Sequence, residues 1–213
     1  NMKKLLIILL ALFTTATFAQ EEQQAKQILL SSVSLIQKSP LQTKFQLSYF
    51  NPRSADENIT KEGTLVISGR KFVVKMADVE TFFNGKTQWV FVKENNEVTI
   101  TEPTLKELRE INPLLLISDC TRTHRLAFED QSAADKAFWH ICLYPLDKAA
   151  DYFQIKIKIA KKDKYPRSID IFQKNGDKIK FFSTAYTVLK SLPDNKFVFD
   201  VKTNPNVEVN DLR

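Results

Sequence analysis

In the segment Phe153-Gln154-Ile155-Lys156-Ile157-Lys158-Ile159, apolar and polar side chains alternate without a break. A period of two sets Phe153, Ile155, Ile157 and Ile159 on one face of a strand and the polar residues on the other. The same rhythm runs through residues 42–49, where Phe45, Leu47 and Tyr49 alternate with Lys44, Gln46 and Ser48. Further strands are expected at residues 64–67, 72–76, 89–92, 97–101, 123–129, 137–144, 167–174, 178–186 and 196–200. Tight turns join them: Gly69 follows Ser68, Asn84-Gly85 precedes Lys86, and Asn175-Gly176 lies between two strands. Hairpin order makes the sheet antiparallel with one wet face. Trp89-Val90-Phe91-Val92 is apolar on both faces and is expected to lie beneath a covering element.

Two stretches leave the strand rhythm. Residues 21–38 carry Ala25, Ile28, Leu29, Val33 and Ile36 at spacings of three and four, the stripe of an amphipathic helix that Pro40 ends. In residues 103–120, Leu105, Leu108 and Ile111 form a helical stripe broken at Asn112-Pro113 before Leu114-Leu115-Leu116-Ile117. Two short helices or a kinked one are expected there. The fold class is therefore mainly β. A curved antiparallel sheet of roughly ten strands forms an incomplete β-barrel, a half-barrel, because flat open sheets of that size are unusual. The N-terminal helix and the central helical insertion cover its concave apolar face. If that concavity is only partly filled, it holds an apolar ligand; if its side chains interdigitate fully, it is simply a core. Pattern alone leaves both open.

Met2, Lys3 and Lys4, the apolar residues 5–13 and the small-residue stretch closing at Thr17-Phe18-Ala19 have the order of a cleaved secretory signal peptide. The apolar run falls well short of the roughly 20 residues that cross a bilayer. Residues 1–19 are assigned to the leader and residues 20–213 to a single domain, expected to be exported and soluble.

The remaining chemistry is sparse. The formal charge of +6 includes both leader lysines, and what is left is too small to argue for nucleic acid. The four glycines are too far apart for a phosphate-cradling loop. There is no nucleophile elbow and no His-Glu-x-x-His, so no enzymatic activity and no catalytic residue is expected. Cys120 and Cys142 meet an oxidising compartment, and a hairpin centred on Gln131 would set them opposite each other, so a disulfide is expected. His124 and His140 lie near these cysteines, but the spacing matches no common zinc pattern. Neither a metal nor a cofactor is expected. Lys156, Lys158, Lys161, Lys162, Lys164 and Arg167, with Lys174, Lys178 and Lys180, make one strand face basic. Such a face keeps strands unpaired in solution, or touches anionic lipid transiently.

Several pieces, in order, resemble the bacterial outer-membrane lipoprotein carrier proteins (LolA-like) as a divergent member. They are the leading helix from Glu21, Phe45-Gln46-Leu47, Glu62-Gly63-Thr64-Leu65-Val66-Ile67, the turn and strand from Phe83 to Phe91, Ile111-Asn112-Pro113-Leu114-Leu115, Leu143-Tyr144-Pro145, and Phe197-Val198-Phe199 with Val207-Glu208-Val209. The resemblance implies a periplasmic carrier that takes lipoprotein acyl chains from an inner-membrane transporter to an outer-membrane acceptor. It also implies a helical lid. The candidates for the cavity wall are the alternating apolar residues Phe45, Leu47, Leu65, Ile67, Phe72, Val74, Trp89, Phe91, Phe153, Ile155 and Ile157, the pattern leaving open which row faces inward. The lid comprises Leu108, Ile111, Leu114, Leu115 and Leu116, with Arg70 either the candidate for the family's latch arginine, in a turn one residue shorter than the family's, or a solvated residue of that hairpin turn. Partners are acylated lipoproteins and the two membrane proteins, with the carrier a monomer. The alternative is a periplasmic lipid- or peptide-binding sensor or assembly module of the same fold that shuttles nothing.

Overall fold

The computed structural model describes residues 2–130 and 132–213, with side chains from Ala19 onward except at positions 55, 109 and 110. The leader expected over residues 1–19 lies, but for Ala19, outside the described side chains. Helix α1 (Met2–Lys38) is followed by β1 (Leu41–Phe50), β2 (Ile59–Ser68), β3 (Lys71–Met76), β4 (Val79–Phe83), β5 (Gln88–Val92) and β6 (Glu97–Thr101). Three short helices come next, α2 (Leu105–Ile111), α3 (Pro113–Leu116) and α4 (Cys120–Thr123). The chain then returns to strands β7 (His124–Phe128), β8 (Phe138–Pro145), β9 (Tyr152–Ala160), β10 (Pro166–Gln173), β11 (Lys178–Val188) and finally β12 (Glu208–Asp211).

Among the described residues all twelve strands belong to one curved sheet that does not close into a barrel, ordered β12-β6-β5-β4-β3-β2-β1-β11-β10-β9-β8-β7. Strands β1–β6 and β7–β11 are two antiparallel meanders, joined where β1 pairs with β11. This order has one consequence for the site. The chain leaves β6 near one margin of the sheet and re-enters at β7 on the other, so α2–α4 must run from margin to margin across one face.

Period-two patterning sorts the side chains into two apolar clusters. On the inner face, Leu41, Phe45, Leu65, Ile67, Phe72 and Val74 of the first meander meet Ile141, Leu143, Ile155, Ile157, Ile169 and Phe181 of the second. Helix α1 lies on them with Ala25, Leu29, Val33 and Ile36 buried, and Leu108, Leu114 and Ile117 complete the cover. On the outer face of β2–β6 a second cluster gathers Val66, Val73, Phe82, Trp89, Val98 and Ile100 under Phe197 and Phe199. The strand expected at residues 196–200 is instead a 3₁₀ turn (Asp194–Phe197) running into extended chain, and it packs on a sheet face rather than beside a strand. This explains why β5 is apolar on both sides: the C-terminal segment covers its outer surface. Strand β12 then pairs in parallel with β6 at the margin.

Candidate functional site

The apolar stripe of α1 ends at Val33 and Ile36. Between these residues and the helical insertion lies a cavity of about 300 Å³. Ile67 of β2 and Phe83 of β4 form its floor, and Leu105, Leu108, Leu114 and Leu115 of the insertion form its roof. Gln37, Gly69, Arg70, Ser118 and Asp119 supply a polar rim. The volume is at the small end of the roughly 300–1,000 Å³ typical of ligand sites. Its floor and roof suit hydrocarbon, and its rim suits a polar group.

The roof is built from local capping. Thr104 accepts from the Glu107 backbone N–H at 3.4 Å, and the Glu107 carboxylate accepts from the Thr104 N–H at 2.7 Å, a reciprocal box that starts α2. Those hydrogen bonds, first from the Thr104 backbone and then from its hydroxyl, hold the Glu107 carboxyl below its ordinary value. Pro113 cannot continue α2, and Asn112 caps the next helix by accepting from the Leu114 N–H at 3.1 Å. The Asn112 Nδ2 is buried with no partner among the described residues. Breaking the helix there turns Leu114 and Leu115 toward the cavity, whereas Leu116 faces two other hollows. One, of about 400 Å³, lies between Pro113, Leu116, Tyr152, Ile171 and Ile179. The other, of about 160 Å³, is lined by Leu116, His124 and Tyr152 among others. An ion pair from Lys106 to Asp151, 3.0 Å long, ties α2 to the start of β9 at the rim of the larger one.

The expected wall is only partly realised. Phe45, Leu65, Phe72, Val74, Ile155 and Ile157 do face inward, with Leu47 packed against them, but α1 fills the space above and they form solid core. Ile67 alone of the expected strand residues lines the 300 Å³ cavity. Trp89 and Phe91 point the other way, into the outer cluster, because β5 carries apolar residues on both faces. Phe153 is also misassigned. Phe172 pairs with Gln154 while Gln173 pairs with Tyr152, so Phe153 is the extra residue of a β-bulge. Alternation shifts by one there: Tyr152 packs on the inner cluster, and Phe153 is 52% exposed beside the Phe172 ring, 6.1 Å away.

Of the expected lid, Leu108, Leu114 and Leu115 line the cavity, Leu116 its neighbours, and Ile111 packs on the core. Arg70 stands at the rim, exposed, and among the described residues it makes no hydrogen bond or ion pair. The expected latch is not formed here: the Leu108 carbonyl accepts from the Asn112 N–H, and that of Leu115 from the Ser118 hydroxyl. Val33, Ile36, Phe83 and Leu105 also line the cavity and lay outside the expected set; the α1 stripe carried the signal for the first two.

The expected disulfide is not formed between them, and both thiols are buried. Strands β7 and β8 pair Ala127 with Cys142, so the hairpin is not centred on Gln131. Cys120 sits in α4 within the inner cluster, while Cys142, between inward-facing Ile141 and Leu143, faces outward. The sheet separates them. The histidines are separated likewise. His124 bonds the Tyr152 hydroxyl at 3.0 Å on the inner side, and His140 bonds Asp135 at 2.8 Å on the outer.

Comparison with known proteins supplies the lineage. No curated protein matches the sequence. Among solved structures, an uncharacterised conserved protein from Thermus thermophilus superposes with a TM-score of 0.55 at 11% identity, covering 87% of this chain and 98% of its own. A DUF1329 family protein from Desulfovibrio piger gives 0.50 at 10% identity, over 84% and 97% of the two chains. A putative outer membrane lipoprotein-sorting protein domain from Vibrio parahaemolyticus gives 0.48 at 10%, over 86% and 99%. At these identities the superpositions speak to the fold alone. The family model described as outer membrane lipoprotein carrier protein LolA matches residues 15–143, from α1 through the insertion into β8. The chain thus belongs to the outer membrane lipoprotein carrier protein LolA family.

Proposed function

We propose that this protein, after loss of residues 1–19, is a periplasmic carrier whose single domain shelters the acyl chains of lipoproteins between an inner-membrane transporter and an outer-membrane acceptor. The observation that carries this reading is the apolar cavity roofed by Leu108, Leu114 and Leu115, on a segment strung between the two margins of the sheet.

A roof attached at its ends and broken in the middle is the part of this fold that can lift without unfolding the sheet. It is held by local caps, by the Lys106–Asp151 ion pair and by the packing of Leu108, Leu114 and Ile117 on the inner cluster. The cavity at about 300 Å³ takes the end of a hydrocarbon chain, and withdrawal of α2–α3 joins it to the hollow beside Leu116 to take more. An acyl chain exposed to water costs about 0.8 kcal/mol per methylene, so it does not cross an aqueous compartment unescorted. Exchange between bilayer and cavity leaves that term nearly unchanged, so direction comes from the donor and the acceptor, and no reacting group is required. Arg70, unpaired at the mouth, is placed to meet a polar headgroup or a displaced roof carbonyl as the chain enters.

Incubation with spheroplasts tests the proposal. The protein should bring acylated lipoproteins into the soluble fraction, and Leu115→Glu should abolish this while remaining folded. Failure of the unaltered protein to release any lipoprotein, together with isolation of a stable complex with another envelope protein, would favour the sensor reading instead.

A further inference from the structure

The outer face of the sheet lies under an apolar C-terminal segment on one half and has no such cover on the other. Over β2–β6 the C-terminal segment lays Phe197 and Phe199 on an apolar surface. Over β7–β11 the outward residues are of another kind. Arg125, Lys156, Lys158, Lys178 and Lys180 share this face with Phe138, Tyr144, Phe172 and Phe182, in the registers Arg125–Tyr144, Phe172–Lys178 and Asp170–Lys156. The cations lie over the rings: Lys158 is 4.4 Å from the centre of Phe138, Lys178 4.9 Å from that of Phe172, and Arg125 4.6 Å from that of Tyr144. The bulge adds Phe153 to the same surface, and Phe182 is 39% exposed.

Carboxylates answer only part of this charge. Glu129 takes Lys156 at 2.6 Å, and Asp170 takes Lys178 at 2.8 Å. Lys158 and Lys180 have no carboxylate partner among the described residues. A strand face whose only task is solubility has no use for half-exposed phenyl rings between its lysines. Rings flanked by ammonium groups suit the headgroup layer of a membrane, where the ring sits among glycerol and upper acyl carbons and the cation meets phosphate.

We infer that the outer face of β7–β11 is a docking surface for anionic phospholipid bilayers, with Lys158 and Lys180 as its free charges and Phe153 and Phe182 as its apolar contacts. Docked in this way, the protein keeps the roof formed by α2–α3 on the far side of the sheet. A carrier so oriented exchanges cargo with a protein facing its mouth, and not by dipping the cavity into lipid; this consequence rests on the proposed carrier role, whereas the docking itself does not.

Sedimentation of the purified protein with vesicles of phosphatidylcholine alone, and of phosphatidylcholine mixed with phosphatidylglycerol, separates the outcomes. Binding should appear only with the anionic mixture and weaken with salt. Each lost lysine should lower partitioning roughly fivefold, so Lys158→Gln with Lys180→Gln should cost more than tenfold, and Phe153→Ser should weaken binding without altering its salt dependence. Circular dichroism checks that these variants are folded, and Lys202→Gln, on the C-terminal segment outside this face, should change nothing. Equal binding to both vesicle types, or undiminished binding by the folded double variant, would overturn the inference. So would retention on an acidic protein surface with no vesicle binding at all. None of these readouts depends on what the cavity holds.

Discussion

The ring of Phe45 lies across Gly63 on the neighbouring strand, so close that a Cβ at Gly63 would come within 2.8 Å of the Phe45 Cζ. The two residues are paired in the β1–β2 ladder, and Phe45 in turn stacks on Phe181 of β11 at 5.5 Å. The bare Cα at position 63 is therefore what lets the two meanders meet over one aromatic pair.

Gly63→Ala should destabilise the protein by roughly 1–3 kcal/mol, lowering the melting temperature by a few degrees to about 10 °C. The new methyl would also come within 2.7 Å of the Lys75 carbonyl oxygen, which is backbone and cannot rotate aside. Adding Phe45→Leu should thus restore only part of the loss. Full restoration in the double variant, followed by thermal melting, would show that the ring alone sets the constraint.

The roof should be separable from the sheet. Thr104→Ala removes half of the capping box at the start of α2, a change worth about 1 kcal/mol or roughly fivefold in local opening. Limited proteolysis within residues 102–123 should accelerate by that factor while the melting temperature stays nearly constant. An equal fall in global stability would mean that the insertion is part of the cooperative core.

Acid should act through the outer face of β8. The hydrogen bond from the His140 ring, then the Ala137 backbone N–H, holds the Asp135 carboxyl at about 2, down from 3.8. A lowered folded-state value means that the stabilisation is fully present above about pH 4 and is lost as pH falls through about 2. Melting curves between those limits should show the wild type losing stability that an Asp135→Asn variant has already lost at neutral pH. Parallel curves for the two proteins would contradict this.

Cys120 and Cys142 should remain reduced. Burial, and after it the Glu129 charge, pushes the Cys142 thiol up, which slows its attack on reagents. Denatured, non-reduced protein should release two titratable thiols, and folded protein should react slowly. A single cross-linked species without reductant would contradict the separation of the two residues by the sheet.

These contrasts mark where the sequence was sufficient. The alternation in β9, the glycine turns at positions 69, 85 and 176, the α1 stripe and the break at Asn112-Pro113 are local signals, and each became the expected element. Phe153 was misplaced because a bulge moves side chains across a strand without altering its composition. Trp89 and Phe91 were misplaced because a strand apolar on both faces does not declare which face is inner; that depended on the C-terminal segment, far along the chain. The filled centre of the wall was likewise illegible, since Phe45 or Ile155 would have the same spacing above a void as beneath α1. The 300 Å³ cavity lies where α1 ends, a matter of helix length against sheet width.

Native mass spectrometry of the protein purified without detergent from the bacterial envelope, followed by lipid extraction, tests the central claim most directly. A hydrocarbon-bearing adduct should accompany the wild-type chain and be missing from Leu115→Glu, which places a carboxylate in the roof of the cavity. Wild-type protein free of any such adduct, and unable to acquire one from offered acylated peptide, would contradict the account.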